Sequence, residues 1–484
     1  MTEPSVAELR GARIGAASDE MRAILERQRA AFLKDGPPSL AERRADLAKL
    51  KTAIGDNTER IAQAIAADFG NRSRHETLLA EIFTTLSGIR HASRHLAKWM
   101  RPKRVSVGIE LMPARARILY QPVGVVGIIS PWNYPFQLAM MPLLAALAAG
   151  NRVMLKPSEL TPRVSALMAE LLGGLFSSNK VATVLGGAEI GAAFARLPFD
   201  HLLYTGSTAV GRLVMQAAAE NLTPVTLELG GKSPCIIAED ALLPGAVESI
   251  VHGKLLNAGQ TCIAPDYVLV PEAKREEFIN LAGQAVRKLY PSLAANPDYT
   301  SIVNDRHYRR IAQYVQEAKA KGVRVVELNP AQEALDAGER KLAPTLVIDP
   351  GDELQVMRDE IFGPVLPVKT YRRLDDALDY VNRRPRPLAL YYFGTDAKRR
   401  DEVLSRTISG GAAVNETLLH VAVEELPFGG IGASGIGAYH GEIGFQTFSH
   451  RKSVFLQSRL NGTWLLRPPF DRYSEMVLKL LMRR

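Results

Sequence analysis

The chain has 484 residues, 46% hydrophobic and 23% charged, a composition typical of a folded protein with more than one domain and not of a disordered chain. Its two cysteines argue against a disulfide framework or a cysteine-rich zinc site, so no metal site is predicted. Most of the net charge of +9 lies in residues 451–484, where eight basic residues face two acidic ones, so we expect no extended nucleic-acid-binding surface.

The N-terminal residues MTEPSVAELRGARIG lack the basic start and apolar core of a secretory signal. The longest apolar run, at residues 138–150, is shorter than the roughly 20 residues that cross a bilayer. We therefore expect a cytoplasmic protein.

Residues 19–101 are predicted to be helical from their apolar spacing, and one helix should begin with a capping box of Ser39 and Glu42. Residues 104–120 change to alternating, β-branched positions and predict a protruding β-hairpin that is broken at Met112 and Pro113. An isolated two-stranded ribbon is only marginally stable, which suggests that another subunit covers it.

Apolar strands alternate with helices from residue 123 onward. The first series is VGVVGIIS, a helix over residues 136–149, NRVMLKPS, a helix from 162, VATVLG, a helix near 188, and HLLYTGS. The second series is PCIIAED, a helix from about 244, DYVLV, a helix from 274, and the strands VVEL, TLVID, PVLPVKTY and LALYYF. Continuous apolar strands separated by helices predict parallel sheets covered on both faces.

The predicted fold class is therefore α/β, with two doubly wound parallel-sheet domains. The first, Rossmann-like, comprises residues 1–103 and 121–230, and its N-terminal part is helical. The second comprises residues 231–425. Ligands of such folds bind at the carboxyl ends of the strands.

The C-terminal sequence DRYSEMVLKLLMRR predicts a short amphipathic helix. Its apolar residues recur at helical spacing: Tyr473, Met476, Val477, Leu480 and Leu481. Such a helix would dock on its own protein, dock on a partner subunit, or lie on an anionic membrane surface. The residues alone leave these interpretations open.

The two cysteines have different surroundings. Cys235 lies in the apolar strand SPCIIAED and is expected to be a small buried hydrophobic residue. Cys262 lies in a glycine-containing loop, NAGQTCIAP, where functional residues are common. A catalytic thiol needs a base or a positive field. None of the nine histidines stands in a motif that supports a cysteine protease.

Glu228 is a carboxylate in the apolar strand of LELGGKSP. A carboxylate in such a place has a raised pKa and is suited to act as a general base near pH 7. The other interpretation is a structural glutamate that pairs with Lys232 or with backbone amides.

The motifs around Glu228 and Cys262 resemble those of the aldehyde dehydrogenase superfamily, and further motifs follow the order found in that family. LELGGKSP precedes GQTC, and the other motifs are SPWNYPF at 130–136, KPSE at 156–159, YTGS at 204–207, EIFGPV at 360–365 and LPFGG at 426–430. The stretches PWNYPF, PFGGIGASGIGAYHG and TFSHRKSV look like the class 3 branch, and most like its bacterial coniferyl aldehyde dehydrogenases. The whole set is specific, although any one motif alone is weak.

The resemblance implies a mechanism for three residues. Cys262 is the nucleophile that attacks the aldehyde carbon, and the Asn133 side chain stabilises the oxyanion together with the backbone N–H of Cys262. After hydride transfer to a nicotinamide, Glu228 activates the water that hydrolyses the thioester. Asn133 also suits a simple turn.

The resemblance also implies an NAD site, with NADP accepted in part. The expected cofactor-binding residues are Trp132, Lys156, Ser158, Glu159, Gly206, Ser207, Gly211, Leu229, Glu360 and Phe362. Lys156 and Glu159 would address the adenine ribose, and a carboxylate there repels a 2′-phosphate. Backbone N–H groups at the helix start near Gly206 would meet the pyrophosphate. Glu360, otherwise a solvated acid, would bind the nicotinamide ribose, and Phe362 would lie against the ring.

The expected substrate pocket is mainly apolar. By resemblance it is lined by Tyr134, Leu138, Met141, Ile263 and Phe428, and His420 is either a partner for a phenolic hydroxyl or an ordinary loop histidine. The predicted function is NAD(P)-dependent oxidation of an aromatic, coniferyl-type aldehyde to the acid. An aliphatic aldehyde, acyl transfer to coenzyme A, and a non-enzymatic binding role are the alternatives. The hairpin at 104–120 and the tail at 450–484 resemble oligomerisation elements, so a homodimer is expected.

Overall fold

A computed structural model describes residues 6–482, so residues 1–5 of the first predicted domain and Arg483 and Arg484 of the predicted tail lie outside the described residues. The predicted N-terminal helical region is a series of helices: α1 Val6–Asp35, α2 Leu40–Asp56, α3 Thr58–Phe69, α4 Arg74–Thr77, a π-helical turn Leu78–Phe83, and α5 Thr84–Trp99. The predicted capping box of α2 is confirmed, because Ser39 and Glu42 each accept the other's backbone N–H. Two short strands follow, β1 Lys103–Val105 and β2 Arg115–Pro122.

The first large sheet contains the first predicted series. Its elements are β3 Val125–Ile129, α6 Gln137–Ala149, β4 Arg152–Lys156, α7 Pro162–Leu175, β5 Val181–Thr183, α8 Ala188–Ala195, β6 His201–Thr205, α9 Thr208–Ala219 and β7 Val225–Glu228. These five strands are all parallel. Every residue of α6 is buried, which explains why its sequence is apolar on all sides.

The second large sheet contains the second series. Its elements are β8 Pro234–Ile237, α10 Leu243–Leu255, β9 Tyr267–Pro271, α11 Arg275–Leu289, α12 Asp305–Ala320, β10 Arg324–Glu327, β11 Thr345–Ile348, α13 Gln355–Arg358, β12 Val365–Tyr371, α14 Leu374–Asn382, β13 Ala389–Phe393, α15 Ala397–Arg406 and β14 Gly411–Val414. The strand order is β10-β11-β12-β9-β8-β13-β14. Only the edge strand β10 is antiparallel to its neighbour in this sheet. The predicted α/β class with two parallel sheets is confirmed.

The last elements return to earlier parts of the chain. They are β15 Gly435–Ile436, α16 Gly441–Thr447, β16 Ser449–Leu456 and α17 Arg472–Met482. Strand β15 pairs antiparallel with β7, and Gly435 lies opposite Glu228. The segment that follows the second sheet therefore adds a strand to the first sheet. The order of the first sheet is thus β15-β7-β6-β3-β4-β5.

The prediction of a two-stranded hairpin is wrong in one respect. Strand β2 pairs with β1 on one side and, along its whole length, with β16 on the other. The third strand comes from the same chain, more than 300 residues away in sequence. The marginal stability of a ribbon therefore gives no argument for a partner subunit.

Helix α17 leaves much of its apolar face in solvent. Tyr473, Met476 and Leu480 are each more than half exposed. Docking of this helix on its own chain, one of the three interpretations, is therefore wrong for these residues. Within residues 6–482, no helix is both long and apolar enough to cross a membrane.

Candidate active site

The loop before Cys262 has an unusual backbone. Three consecutive residues, Asn257, Ala258 and Gly259, have φ angles of 53°, 51° and 77° in the left-handed region. Only glycine adopts this region without strain, so the other two must be held by their surroundings. At Gly259 a side chain would also collide with the carbonyl oxygen of Gly363. The motif NAGQTC thus specifies a tight turn that delivers the cysteine.

Buried hydrogen bonds hold this turn in place. The Asn257 side-chain amide donates to the carbonyl oxygens of Asn133 at 3.0 Å and Gln260 at 3.1 Å. The Gln260 side chain donates to the carbonyls of Asn257 and Ser301 and accepts the N–H of Val303 at 2.9 Å. The two side chains therefore tie the strained turn to two other segments.

Cys262 is half-buried and its side chain lines a cavity. Burial, with the negative charges of Glu360 and Glu228, raises the pKa of the Cys262 thiol to about 12. The thiol is thus protonated at neutral pH, and a positive charge brought into the site would favour the thiolate. Cys235, by contrast, is fully buried in β8, as predicted.

Glu228 ends strand β7 and is 2% exposed. Within the described protein neither of its carboxylate oxygens has a hydrogen-bond partner. Burial raises the pKa of Glu228 well above its ordinary value. Lys232 forms its ion pair with Asp266 instead and donates to the Val356 carbonyl at 2.8 Å. The structural interpretation, a Glu228–Lys232 pair, is therefore wrong, and an unpaired buried carboxylate is a mark of functional sites.

Asn133 lies in the turn after β3 and is 3% exposed. Its side-chain amide donates to the carbonyl of Gln260 at 3.2 Å, just before the cysteine. The amide has two hydrogens, so one stays available for another acceptor. Asn133 is both a turn residue and a donor directed toward the cysteine loop.

A buried arginine that the sequence analysis missed supports Asn133. Arg72 donates to the carbonyl oxygen of Asn133 at 2.9 Å, and its guanidinium lies over the ring of Tyr134 at 4.8 Å. Its charge is balanced by Glu76 at 3.7 Å and Glu81 at 3.6 Å. No local motif marks Arg72, because its partner is 61 residues away.

An Arg72→Met variant should be much less stable than the parent protein. Removing one partner of a buried ion pair leaves uncompensated carboxylates, which costs about 3–5 kcal/mol. The measurement is urea unfolding followed by fluorescence. Arg74→Met is the matched control, because Arg74 pairs with Glu59 at the protein surface. Equal midpoints for the two variants would contradict the role assigned to Arg72.

The expected cofactor residues follow strands of the first sheet at its carboxyl edge. Lys156 ends β4, and its ammonium donates to the Pro157 carbonyl at 2.9 Å and reaches the Glu159 carboxylate at 3.5 Å. The hydroxyl of Ser158 accepts the N–H of Leu160 at 3.2 Å. The three side chains of KPSE are thus held together at one end of β4.

Helix α9 begins at the same edge, after β6. The hydroxyl of Ser207 caps the helix by accepting the N–H of Val210, and the N–H of Gly206 donates to the Glu228 carbonyl at 3.0 Å. A Cβ atom on Gly211 would lie 2.7 Å from a methyl group of Leu229, so a glycine lets α9 approach β7 closely. The free N–H groups at this helix start suit an anion such as pyrophosphate.

Glu360 and Phe362 come from the segment between α13 and β12 of the second sheet, and Phe362 meets Trp132, which follows β3 of the first sheet. The Glu360 carboxylate lies against Gly230, and burial together with the charge of Asp266 raises the pKa of Glu360 to about 8. One of its oxygens is buried and unpartnered within residues 6–482, so the solvated-acid interpretation is wrong. The Phe362 and Trp132 rings are 5.4 Å apart.

These groups fit a dinucleotide. The hydroxyls of Ser130 and Thr205 are also buried without a partner in the described chain, so the carboxyl edge of the first sheet holds unused hydrogen-bonding groups. Such an edge is where α/β folds bind nucleotides.

The cavity at Cys262 holds about 820 Å³ of free space, its mouth included. Its lining includes all five predicted apolar residues: Tyr134, Leu138, Met141, Ile263 and Phe428. His420 does not line it, because its ring packs behind the wall against Phe428 and Tyr391. Glu424 and His440 line it instead, and the sequence analysis missed both.

Comparisons with known proteins agree with this site. Residues 2–454 match the sequence profile of the Aldehyde dehydrogenase family. The chain is 50% identical over 481 residues to the Coniferyl aldehyde dehydrogenase of Pseudomonas sp. strain HR199, and the match covers 99% of each protein. The solved structure of Staphylococcus aureus AldH in its substrate-bound state superposes with a TM-score of 0.90 at 39% identity, covering 95% of this chain and 99% of that one.

The NAD+ complex of aldehyde dehydrogenase from Bacillus cereus superposes with a TM-score of 0.82 at 29% identity, covering 91% of this chain and 89% of that one. The predicted family and cofactor class are thereby confirmed. The chain belongs to the aldehyde dehydrogenase family and is an NAD(P)-dependent aldehyde dehydrogenase.

Proposed function

We propose that this enzyme oxidises a hydrophobic aromatic aldehyde of the coniferyl type to its carboxylic acid. The observation that carries the proposal is the thiol of Cys262 at an apolar cavity, in the electrostatic reach of the buried, unpaired carboxylate of Glu228. The 50% identity with the Coniferyl aldehyde dehydrogenase of Pseudomonas supports the substrate class.

In the first half of the reaction, the sulfur of Cys262 bonds to the aldehyde carbon and releases its proton to solvent water. The aldehyde oxygen becomes an oxyanion, which accepts hydrogen bonds from the second amide hydrogen of Asn133 and the backbone N–H of Cys262. Such prearranged donors commonly lower a barrier by about 2.7–4 kcal/mol. A nicotinamide held by Glu360, Phe362 and Trp132 would supply the acceptor for the hydride that leaves this carbon.

In the second half, the acyl group is a thioester on Cys262. Glu228 removes a proton from a water molecule, whose oxygen attacks the thioester carbon. The carbon–sulfur bond breaks, the acid leaves, and the thiolate takes up the proton that Glu228 removed from the water. Glu228 suits this role because a base with a raised pKa is strong enough to activate water near neutral pH.

The dinucleotide would be held by Lys156, Ser158 and Glu159 at its adenosine end, by the start of α9 at the pyrophosphate, and by Glu360, Phe362 and Trp132 at the nicotinamide end. The Glu159 carboxylate lies 3.5 Å from the Lys156 ammonium, where it would accept ribose hydroxyls and repel a 2′-phosphate. We infer a preference for NAD over NADP, with NADP accepted in part.

Steady-state kinetics with NAD tests the proposal. Coniferaldehyde, benzaldehyde, hexanal and decanal should all be compared by NADH absorbance, with and without coenzyme A. Coniferaldehyde should give the highest kcat/KM without coenzyme A. A higher value for decanal would favour an aliphatic substrate, and a requirement for coenzyme A would favour acyl transfer, although a hydrolytic Glu228 argues against it.

We further propose a homodimer that covers α17. Apolar side chains are exposed both on this helix and at the three-stranded sheet, where Phe455 of β16 and Ile109 and Met112 in the connection between β1 and β2 are about half exposed. A Met476→Glu, Leu480→Glu double variant should therefore sediment as a monomer, while the parent chain and a Lys479→Glu control sediment as dimers. If the double variant stays dimeric but no longer binds anionic vesicles, α17 is not part of the dimer interface and attaches the protein to membranes instead.

A further inference from the structure

The mainly apolar lining of the aldehyde cavity includes one carboxylate, that of Glu424, and one imidazole, that of His440. His440 is 3% exposed, and both of its ring nitrogens are buried without a hydrogen-bond partner in the described chain. Its ring stacks on Phe428, with centroids 5.2 Å apart and planes 19° from parallel. Since buried polar groups in folded proteins nearly always have a partner, an imidazole fixed in this way has unused hydrogen-bonding capacity.

Glu424 lies beside His440 because its carbonyl oxygen packs against Gly441, the residue after the histidine. A Cβ atom on Gly88 would lie 3.3 Å from one Glu424 carboxylate oxygen, so this side chain turns inward toward the wall formed by α5 and α6. Among the hydrogen bonds of residues 6–482, none engages its carboxylate. Glu424 is also the one carboxylate in the described cavity lining.

Two hydroxyl groups of the lining are already in use. The Tyr134 hydroxyl is 2.8 Å from that of Thr261, and the Thr84 hydroxyl donates to the Ala80 carbonyl at 2.6 Å. Glu424 and His440, by contrast, offer a polar substituent of the substrate a carboxylate and an imidazole that no hydrogen bond within residues 6–482 engages.

We propose that Glu424 and His440 form a subsite for a hydroxyl group of the substrate, so that the enzyme selects hydroxylated aryl aldehydes. The substrate hydroxyl donates to a Glu424 carboxylate oxygen and accepts from an N–H of His440. This inference rests on the proposed oxidation of aromatic aldehydes in the same cavity. A site built to bind a hydroxyl rejects an analogue without one, because its buried polar groups then stay unpaired.

The ionisation of the two groups agrees with this pairing. Burial lowers the pKa of His440 to about 4, so the ring is neutral at pH 7 and carries one donor and one acceptor nitrogen. Burial raises the pKa of Glu424 to about 7. A hydroxyl, which can both donate and accept, suits either state of the carboxyl group.

The test compares 4-hydroxycinnamaldehyde with cinnamaldehyde in the parent enzyme and in a Glu424→Met variant. The parent enzyme should favour the hydroxylated aldehyde in kcat/KM by at least about tenfold. Glu424→Met should bring the ratio of the two kcat/KM values close to one. Glu425→Met is the matched control, because Glu425 is exposed and does not line the cavity, and it should keep the preference.

A second measurement is independent of the chemical step. With hexanal as the reporter substrate, 4-hydroxycinnamyl alcohol should inhibit the parent enzyme at lower concentration than cinnamyl alcohol, and Glu424→Met should equalise the two inhibition constants. Equal constants in the parent enzyme, or an unchanged ratio in the variant, would overturn the subsite while leaving aldehyde oxidation intact. Failure of the parent enzyme to oxidise either cinnamaldehyde, with hexanal oxidised, would overturn the aromatic substrate itself.

Discussion

A Cys262→Ala variant is expected to lose NADH formation altogether, both in the first turnover and in the steady state. Without the sulfur there is no covalent adduct from which a hydride can leave, so the rate should fall by about 10⁴-fold or more. Stopped-flow absorbance of NADH measures both phases. Binding of NAD, followed by protein fluorescence, should be unchanged, because the methyl group of alanine leaves the dinucleotide contacts in place.

The second cysteine is the control for this experiment. Cys235→Ala removes a thiol that is fully buried in β8, and it should reduce stability slightly while turnover continues. Loss of activity in Cys235→Ala together with retained activity in Cys262→Ala would exchange the roles of the two residues.

A Glu228→Gln variant is expected to separate the two halves of the reaction. It should release about one NADH per active site in a burst and then turn over slowly, because glutamine cannot take a proton from water. General-base catalysis typically accounts for about 10²–10⁴-fold in rate, so the steady state should fall by that factor. Hydroxylamine, a nucleophile that needs no base, should restore turnover.

The control is Glu239→Gln, since Glu239 is exposed and pairs with Arg399 at the surface. It should behave like the parent enzyme. An unchanged steady-state rate in Glu228→Gln would remove this residue from the mechanism. Loss of the burst itself would place its action before hydride transfer.

The pH dependence should identify the same residue. Burial raises the pKa of Glu228, so the free enzyme holds it protonated at low pH and only the ionised form can accept a proton. Hydrolysis of the thioester should therefore accelerate as pH rises through the pKa of Glu228. The Glu228→Gln variant should lack this rise, which multiple-turnover kinetics from pH 6 to pH 10 would show.

The alternating strands and helices could be predicted because their signals are local. Helices predicted from residues 136, 162 and 274 begin at Gln137, Pro162 and Arg275, within one residue of the expectation. The apolar strands were recognisable because both of their faces are buried in parallel sheets.

Pairings between distant segments could not be predicted in the same way. Nothing in the sequence near β2 indicates that β16 will lie beside it, since their register depends on the folded path of the whole chain. Lys232 is four residues from Glu228, yet it pairs with Asp266, a carboxylate from the loop that precedes the central strand β9 of the second sheet.

The residues of the candidate active site show the same difference between local motifs and distant contacts. Cys262, Glu228 and Asn133 stand in recognisable motifs, whereas Arg72, Glu424 and His440 act through neighbours that are far away in sequence. The position of His420 just before LPFGG suggests a partner for a phenolic hydroxyl, but the chain turns its ring behind the cavity wall. Only the three-dimensional path shows which histidine can reach a substrate.

Strand β15 has a consequence for how the cleft can move. Gly435 is paired with Glu228, and the N–H of Leu229 donates to the Ser434 carbonyl at 3.0 Å, so the segment that leaves the second sheet is fastened to the strand that bears Glu228. A hinge rotation that moved the two sheets apart would have to break the pairing of β15 with β7 and the hydrogen bond between Leu229 and Ser434. We therefore expect aldehydes to enter, and acids to depart, through side-chain adjustments within a rigid frame.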